Sequence, residues 1–419
     1  MVFGRQQYLE KLIAGRGNGL VKIVTGVRRC GKSFLLFTLF HEWLTSQGVD
    51  KDRIIELSLD DRRSKALRDP DALLDYIDAR VKDDGQTYYV ILDEVQLVND
   101  FVEVLLSLMH NRQLEVYVSG SNSKFLSKDV VTEFRGRGDE IRVWPLSFKE
   151  YYETVGGDKQ EAWLSYYTYG GLPQVLLMES EQMKRDYLRA IYELTYIKDV
   201  VERNKLRNPE GLRQVVQVLA SCIGASTNAR RISNTFRSKE NVNITDKTVR
   251  EYIGYLQDAF MIEEALRYDV KGRKYIGTET KYYFADLGLR AVALNFRQQE
   301  ETHIMENIIY NELRSRGYLV DVGMVVGWNK MEDGSTRRQN LEVDFVVNNG
   351  ANRVYIQSAY RMPTAVKEAQ ELRSLTKIDD SFKKMIIVWD NIKSKVDEHG
   401  IITVSLLEFL LNADAIDKP

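Results

Sequence analysis

Short apolar runs alternate with a helical pattern in the first third of the chain. Three runs of strand-forming residues each end in a polar or glycine-containing turn: Leu20–Gly26, Tyr88–Leu92 and Leu114–Leu126. Between the first two runs, Lys32–Leu44 places apolar residues at helical spacing. Five strand formers in a row, as in Tyr88–Leu92, are typical of a strand buried on both faces of a parallel sheet. The pattern therefore predicts an α/β domain built on a parallel sheet.

The middle of the chain changes to a mostly helical pattern. Trp163–Asn204 is helical in pattern and is interrupted by "YGGLP" at Tyr169–Pro173, which we expect to form a structural corner. Helical segments recur after Gly211, and Thr245 is the candidate cap of the last of them. Two segments that alternate like paired strands follow: Glu263–Asp269 and Thr280–Asp286. Helices followed by a β-hairpin predict a winged helix-turn-helix.

The C-terminal part of the chain again mixes the two patterns. An amphipathic helix leads into a strand within Glu301–Gly323. Two strand patterns then flank the sequence "NNGA", and Asn-Gly is a residue pair that favours tight hairpin turns. We therefore expect a helix packed on a sheet that contains a β-hairpin.

Composition narrows the class of protein. The 419 residues are 44% hydrophobic and 29% charged with a net charge of −2, so nucleic-acid affinity would require a local basic patch. The two cysteines and four histidines show no spacing typical of a disulfide framework or a zinc site. No apolar run approaches the about 18 residues that cross a bilayer, and the amphipathic, charged N-terminus does not resemble a signal peptide. We expect a cytoplasmic protein without a membrane partner.

The stretch "TGVRRCGKSF" predicts a phosphate-binding loop. It lies between a predicted strand and a predicted helix, the context in which G-x-x-x-x-G-K-[ST] binds nucleotide phosphates. Lys32 is expected to contact the β- and γ-phosphates, and Ser33 to ligate Mg²⁺. The backbone of the loop and the start of the helix would surround the phosphates. The predicted ATP-binding residues of this stretch are Gly26, Val27, Arg28, Arg29, Cys30, Gly31, Lys32, Ser33 and Phe34.

An acidic pair follows the second strand. Asp93 and Glu94 stand at its carboxyl end, where open α/β sheets hold their ligands. Asp93 is the candidate Mg²⁺ ligand, and Glu94 is the candidate base that activates the attacking water. The alternative interpretation of such a pair is a helix N-cap. ATP and Mg²⁺ are therefore the expected ligands, with hydrolysis as the expected reaction.

Motifs along nearly the whole chain resemble one family. The stretches "TGVRRCGKSFLL", "YYVILDEVQ", "VSGSNSKFLS", "VWPLSFKEYY", "YGGLPQVL", "YIKDVVER", "YFADLGLR" and "ENIIYNELRSRGY" are similar to AAA-type, archaeal-ATPase-like proteins of bacteria and archaea. Those proteins carry a C-terminal domain of unknown function related to PD-(D/E)XK nucleases. Together with the helix and strand patterns, this resemblance predicts an AAA-type P-loop core at 1–160, a helical lid at 161–206, a winged helix at 207–280 and a nuclease-like α/β domain at 281–419.

The resemblance also suggests roles for polar residues beyond the phosphate loop. A polar side chain after the third strand senses the γ-phosphate in AAA-type ATPases, and Asn122 is the first candidate, with Ser121 second. Arg137 is the candidate arginine finger, which would act on a second copy of the chain; a solvated or ion-paired arginine is the alternative. Arg28 and Arg29 would add positive charge near the phosphates or pair with the acidic Leu59–Asp61.

The nuclease-like site departs from the family pattern. Glu306 matches the helix acid and Asp344 the first strand acid, but Gln357 replaces the second strand acid and Ala359 the lysine. Metal-assisted phosphodiester cleavage depends on charged oxygen ligands and an activated water. We therefore expect a degenerate site without nuclease activity, although Glu342, on the same strand face as Asp344, is a candidate replacement ligand.

A basic segment in the predicted winged helix is the candidate DNA-binding surface. Residues 207–250 hold eight basic and three acidic residues, a net of +5. The candidate DNA contacts are Arg230, Arg231, Lys247, Thr248 and Arg250. A winged helix that docks on protein instead is the alternative.

Three functions follow from these patterns. The first is an ATPase that acts as a switch or small motor on the winged-helix and nuclease-like modules, with DNA or a protein client as partner. The second is a nucleotide-controlled DNA-binding regulator with little turnover, and the third is a DNA endonuclease.

Overall fold

The chain forms two compact units in the computed structural model. The structure describes residues 3–121, 136–239, 244–277, 279–297, 300–330, 336–350 and 352–416. The first unit consists of Met1–Leu146, Leu172–Leu177 and Asp258–Phe260. The second unit consists of Ser147–Gly171, Met178–Gln257 and Met261–Pro419.

A five-stranded parallel sheet is the centre of the first unit. Its strands are β1 Val21–Thr25, β2 Ile54–Ser58, β3 Tyr88–Asp93, β4 Leu114–Ser119 and β5 Gly138–Arg142. Their spatial order is β2-β3-β4-β1-β5, so β4 lies between β1 and β3. Every residue of β1 and β3 is buried, as expected for central strands covered on both faces. The predicted parallel α/β sheet is confirmed.

Helices cover this sheet and bury its apolar core. The helix after β1 begins as an α-helix at Lys32–Phe34, continues as a π-helix at Leu35–Phe40 and ends as an α-helix at His41–Ser46. Leu35, Leu36, Phe40 and Leu44 are buried along it, which matches the predicted apolar face. The other helices of the unit are Gln6–Ala14, Pro70–Asp78 and Phe101–His110, with 3₁₀ turns at Lys51–Arg53, Arg62–Arg68 and Val95–Leu97.

The second unit begins with helices, and the first of these, Phe148–Val155, precedes the stretch Trp163–Asn204 that was predicted to be helical. A capping box starts the first of them, because Ser147 and Glu150 bond each other's backbone N–H groups. The "YGGLP" corner is confirmed: Gly170 has a φ of +77°, and a Cβ there would lie 2.4 Å from Oδ1 of Asp286. The helices are Phe148–Val155, Lys159–Tyr169, Glu181–Ile191 with a π-helical extension Tyr192–Ile197, Lys198–Arg203, Pro209–Ser221, Ala229–Lys239, Asp246–Asp258, Leu287–Ala293, Glu301–Ser315, Ala365–Leu375 and Leu406–Leu411.

Two sheets complete the second unit. β6 (Ile262–Ala265) pairs antiparallel with β9 (Lys281–Phe284), which confirms the predicted strand pair. The first strand is shorter than predicted, because Arg267–Asp269 instead joins a larger sheet as β7. The other strands of that sheet are β8 Lys274–Tyr275, β10 Leu319–Lys330, β11 Thr336–Asn349, β12 Asn352–Ala359, β13 Lys383–Val388, β14 Lys395–Val396 and β15 Ile401–Ser405. The eight strands lie in the order β14-β15-β13-β12-β11-β10-β7-β8.

The predicted C-terminal hairpin is present. β11 and β12 pair antiparallel up to Asn349 and Asn352, and Gly350 between them has a φ of +59°. This confirms the hairpin expected around the Asn-Gly pair. None of the helices in the described part of the chain has the length and apolar character needed to cross a bilayer.

Candidate functional site

The predicted phosphate loop connects β1 to the helix that starts at Lys32. Gly26 has a φ of +137°, and a Cβ at this position would lie 2.1 Å from the carbonyl oxygen of Val143. Gly31 has a φ of +99° and directly precedes the helix. Both conformations favour glycine, so the two glycines of the motif are required by the backbone of the loop.

Lys32 closes the loop on itself. The side chain is 5% exposed, and its Nζ donates hydrogen bonds to the carbonyl oxygens of Gly26 at 2.9 Å and Val27 at 3.1 Å. Both partners are neutral and belong to the loop that would surround the phosphates. The ammonium is therefore held at the loop by groups that phosphate oxygens can replace as acceptors.

Ser33, in the first turn of the helix after the loop, contacts Asp93, the last residue of β3. The Oγ of Ser33 donates to Oδ2 of Asp93 at 2.7 Å, and the Oγ of Ser119 donates to Oδ1 of the same carboxylate. Burial raises the pKa of Asp93, while the hydrogen bonds from Ser119 and Ser33 oppose that rise. A hydroxyl and a buried carboxylate side by side are hard oxygen ligands of the kind that Mg²⁺ prefers. The residues present thus fit the metal ion that the loop motif implies.

Glu94 is held by a chain of hydrogen bonds. Its φ is +54°, and its backbone N–H donates to Oγ of Ser119 at 3.2 Å. The carboxylate accepts from the Oγ of Ser121 at 3.0 Å and from the side-chain amide of Gln96. The carboxylate makes no capping hydrogen bond to the turn that follows, which argues against the N-cap alternative. The orientation of the Glu94 carboxylate instead comes from the polar side chains of Ser121 and Gln96.

Ser119 and Gln96 are site residues that the sequence analysis missed. Ser119 is the last residue of β4, and its hydroxyl links Asp93 to the backbone of Glu94. The strand order places β4 beside β3, so the end of β4 adjoins the acidic pair. The available signal was a serine at the end of an apolar strand.

The other loop residues differ in their surroundings. Arg28 donates to Oγ of Ser121 at 3.3 Å, whereas Arg29 is exposed with a φ of +64°. The acid Asp61 is bonded to Arg63 rather than to the loop arginines. The thiol of Cys30 is buried and donates to the carbonyl of Val143 at 3.4 Å. Val27 is buried and Phe34 is half-buried, so both contribute packing to the loop.

Arg137 does not adjoin the phosphate loop of its own sheet. It directly precedes β5, whose first residue Gly138 pairs with Val21 at the amino end of β1. The loop leaves from the other end of β1, about 16 Å away at the rise of a strand. Arg137 is exposed, so its action on a second copy stays a prediction. Asn122, the first sensor candidate, lies outside the described residues, whereas Ser121, the second candidate, contacts Glu94.

The predicted nuclease-like residues come together around a lysine. Glu306, on the helix Glu301–Ser315, and Asp344, on β11, are both buried. Between them lies Nζ of Lys281 from β9, at 2.8 Å from Oε1 of Glu306 and 3.4 Å from Oδ1 of Asp344. Glu342, the candidate replacement ligand, also contacts Lys281, at 2.8 Å. We call Lys281, Glu306, Glu342 and Asp344 the acid cluster.

The two replaced positions lie on β12. Gln357 is bonded through Oε1 to the hydroxyl of Ser374 at 3.3 Å, and Ala359 is buried. A lysine is thus present in the acid cluster, but it comes from β9 and not from position 359. The sequence analysis missed Lys281; the available signal was a single lysine in the otherwise aromatic segment "KYYF".

The candidate DNA contacts lie on two helices with different charge. Ala229–Lys239 contains four basic residues and no acid, whereas Asp246–Asp258 contains two basic and three acidic residues. Arg231 pairs with Glu279 at 3.1 Å and Arg250 pairs with Asp246, so both charges have acidic partners. The backbone N–H of Thr248 donates to Oγ1 of Thr245 at 3.2 Å, so Thr245 caps the helix that contains Thr248. Arg230 and Lys247 are exposed.

Three family models match successive parts of the chain. Residues 18–152 match an AAA domain, residues 160–300 match a domain of unknown function (DUF8612) and residues 301–408 match another domain of unknown function (DUF4143). The first match, together with the five-stranded parallel sheet and the loop geometry, confirms an AAA-type P-loop domain in the N-terminal part of the chain. The winged-helix and nuclease-like assignments stay predictions.

Relatives extend along nearly the whole chain. An uncharacterized protein of Haemophilus influenzae is 29% identical over 415 residues, 98% of this chain and 99% of that protein. Another, of Methanocaldococcus jannaschii, is 26% identical over 390 residues, 90% and 81% of the two chains. Among solved structures, a Walker-type ATPase of Pyrococcus abyssi is 16% identical with a TM-score of 0.47, covering 70% of this chain and 96% of its own. The Orc1 protein of Aeropyrum pernix, solved in complex with DNA, is 11% identical with a TM-score of 0.32, covering 71% and 93%. Both TM-scores are below 0.5, so the AAA assignment rests on the family model and the site.

Proposed function

We propose that the chain is a Mg²⁺-dependent ATPase that hydrolyses ATP to ADP and phosphate. The observation that carries this proposal is the 2.7 Å contact between Ser33 and Asp93, with Glu94 next in the chain. A phosphate loop alone would suit any P-loop protein. The oriented carboxylate of Glu94 beside the metal-ligand pair favours attack by water over transfer to a metabolite.

Each residue of the site has a separate task in this reaction. The ammonium of Lys32 would exchange its loop carbonyl partners for phosphate oxygens, and loop N–H groups would hold the remaining phosphate charge. Ser33 and Asp93 would hold Mg²⁺. When bound, the ion compensates negative charge on the phosphates and fixes their orientation.

Glu94 would accept a proton from the attacking water. For this the carboxylate must face the terminal phosphate, and the hydroxyl of Ser121 and the amide of Gln96 restrict its rotation. Arg28 contacts Ser121, so the loop and the base belong to one hydrogen-bonded network. We propose that this network transmits the state of the nucleotide, and that the chain acts as a switch or small motor on its second unit.

Two substitutions test the reaction. Lys32→Ala should abolish ATP binding, whereas Glu94→Gln should bind ATP normally and lose about 10²–10⁴-fold in turnover. The exposed residues Lys51 and Glu103 provide the matched controls Lys51→Ala and Glu103→Gln, which should leave binding and turnover unchanged. Binding is measured by titration calorimetry and turnover by phosphate release. An unchanged rate in Glu94→Gln would refute the mechanism.

A second candidate function is DNA binding by the helix Ala229–Lys239. Its exposed residues Arg230 and Arg237 are seven positions apart and so lie on one face, and the helix has no acidic residue. Such a face suits contacts to phosphates. This favours Ala229–Lys239 over the helix Asp246–Asp258, whose charges sum to −1.

A mobility-shift titration separates DNA binding from protein docking. Arg230→Glu/Arg237→Glu should weaken binding to duplex DNA by more than tenfold at low salt. The exposed pair Lys377→Glu/Lys393→Glu makes the same change in net charge and should have little effect. Equal losses in both double variants would mean that total charge, and not this helix, governs binding.

The ATPase rate against protein concentration tests action between copies. A specific rate that rises with concentration, and loses that rise in Arg137→Ala, would support Arg137 as a finger acting in trans. Stimulation of the same rate by duplex DNA, absent in Arg230→Glu/Arg237→Glu, would identify DNA as the partner. A rate independent of concentration would exclude the trans mechanism.

A further inference from the structure

The acid cluster has a cation built into it. Lys281 is 1% exposed, and three carboxylates from two other elements lie within 3.4 Å of its Nζ. Glu306 comes from the helix Glu301–Ser315, and Glu342 and Asp344 come from β11. Lys281 itself begins β9, 25 residues before Glu306 in the chain. The contacts therefore join three separate elements of the second unit.

Other donors of the protein satisfy the same carboxylates. The hydroxyl of Tyr283 donates to Oε1 of Glu306 at 2.6 Å, and the backbone N–H of Ser358 donates to Oδ2 of Asp344 at 2.9 Å. Ser226 donates to Oε2 of Glu342 at 3.3 Å. Each of the three carboxylates thus has a second donor of the protein besides Lys281.

The surrounding backbone is also close-packed. Gly224 has a φ of +70°, and a Cβ at this position would lie 2.9 Å from Oε2 of Glu306 and 2.9 Å from Nδ1 of His303. The chain therefore approaches the carboxylate of Glu306 as closely as a glycine allows. This leaves one side of the cluster covered by backbone.

These residues do not fit the divalent metal ion that the nuclease resemblance implies. An ammonium lies among the carboxylates that would ligate the ion, and two like charges at one position repel. Gln357, in place of an acid, is bonded to Ser374. Among the described residues, no group of three His, Cys, Asp or Glu side chains has an arrangement that could hold a metal ion.

We propose that Lys281 replaces the divalent cation of the nuclease-like domain and makes the acid cluster a metal-independent tie between β9, the helix Glu301–Ser315 and β11. The ammonium compensates the buried carboxylates as the ion would, but it offers no Lewis acid and no site for an activated water. The domain therefore keeps a buried group of acids that serves to join its elements. Removing the ammonium takes away the cation that Glu306, Glu342 and Asp344 share, and their oxygens are hard ligands that attract a divalent cation in its place.

Manganese binding to the full-length, nucleotide-free chain tests this proposal. Free Mn²⁺ is measured by electron paramagnetic resonance, and thermal unfolding is followed with and without Mn²⁺. The wild type should hold no ion at the cluster, so Asp344→Asn should not change its Mn²⁺ binding. Lys281→Met should melt at a lower temperature, bind one additional Mn²⁺ per chain and regain several degrees of melting temperature when Mn²⁺ is added.

The double variant Lys281→Met/Asp344→Asn is the control for this gain. It lacks one ligand, so it should neither bind the additional Mn²⁺ nor regain melting temperature when Mn²⁺ is added. Any ion bound near Asp93 would be present in all variants and would cancel in the comparison. Mn²⁺ binding by the wild type that disappears in Asp344→Asn would overturn the proposal, and so would a Lys281→Met chain that melts like the wild type. The wild-type comparison decides the matter even if Lys281→Met does not fold.

Discussion

Two buried lysines, one in each compact unit, have opposite surroundings. Lys32 is 5% exposed and is held by the carbonyl oxygens of Gly26 and Val27, which carry no charge. Lys281 is 1% exposed and is held by three carboxylates. Both side chains are thus buried, but the charges that surround the two ammonium groups differ. A buried cation with neutral partners can still bind an anion from outside, whereas a cation that carboxylates already surround cannot.

The surrounding charges also shift the pKa values of the groups in the acid cluster. Burial lowers the pKa of Lys281, but attraction by Glu306, Asp344 and Glu342 outweighs it and raises the pKa above its ordinary value. Burial would raise the pKa of Glu306, yet Lys281 and hydrogen bonds from its neighbours bring it below the ordinary value. Burial and the charge of Glu306 raise the pKa of Asp344 to about 7. The lysine therefore stays charged across the physiological range.

The largest expected difference between the two lysines is in stability. Lys281→Met removes one partner of a buried ion cluster, and we expect it to lower the free energy of unfolding by about 3–5 kcal/mol. Lys32→Met leaves only neutral carbonyls, which water can satisfy, and we expect a loss below about 1 kcal/mol. Urea unfolding followed by circular dichroism measures both. ATP binding should show the reverse, because only Lys32→Met removes a phosphate contact.

A charge-balanced variant sharpens this prediction. Lys281→Met/Asp344→Asn removes one positive and one negative charge, so it should recover part of the stability lost in Lys281→Met. An equal loss in the free energy of unfolding for Lys32→Met and Lys281→Met would contradict the expected difference between the two lysines. So would a double variant less stable than Lys281→Met.

The next effect concerns the backbone of the phosphate loop. Gly26→Ala would place a Cβ 2.1 Å from the carbonyl oxygen of Val143, at a φ of +137°. We expect ATP affinity to fall more than tenfold and stability to fall by about 1–3 kcal/mol, because the loop must move to relieve the contact. Gly4→Ala, where no atom lies within 4 Å of the added Cβ, is the control in the same unit. Calorimetric titration with ATP and urea unfolding check both, and normal affinity in Gly26→Ala would contradict the required loop conformation.

A smaller effect is expected at Ser119, which orients both acids of the phosphate site. Ser119→Ala removes the hydrogen bond to Asp93 and the acceptor for the N–H of Glu94. We expect kcat to fall about tenfold, about 1.4 kcal/mol in activation free energy, with KM for ATP changed less than twofold. Ser119→Thr keeps the hydroxyl and should restore most of the rate. Ser58→Ala, at the end of β2 on the other side of β3, is the control; a raised KM with normal kcat would place Ser119 in ATP binding instead.

The same comparison shows how far sequence reasoning reached. The phosphate loop is contiguous and Asp93 ends a continuous apolar strand, so local pattern was sufficient to identify them. Ser119 joins this site only through the order of strands in the sheet, which local pattern does not specify. Lys281 reaches Glu306 and Asp344 from a strand of a different sheet, so the missing lysine was sought at position 359, where Ala359 is buried. Residues that belong to one continuous motif could be predicted from the sequence, whereas residues that the fold brings together from separate strands could not.

The smallest expected effect uses Cys222 as a reporter beside the acid cluster. Burial raises the pKa of this thiol to about 11, and it lies two residues before Gly224, whose backbone covers Glu306. Because the thiolate is the reactive form, alkylation by iodoacetamide at pH 8 should be about 100-fold slower than for a thiol with the ordinary pKa, and should accelerate about tenfold per pH unit up to about pH 11. Loss of Lys281 should loosen this segment, so Lys281→Met should react faster at Cys222 while Lys32→Met should react like the wild type. Mass spectrometry of the Cys222 peptide distinguishes this site from Cys30, and a rate unaffected by Lys281→Met would mean that the lysine does not hold the segment around Gly224 in place.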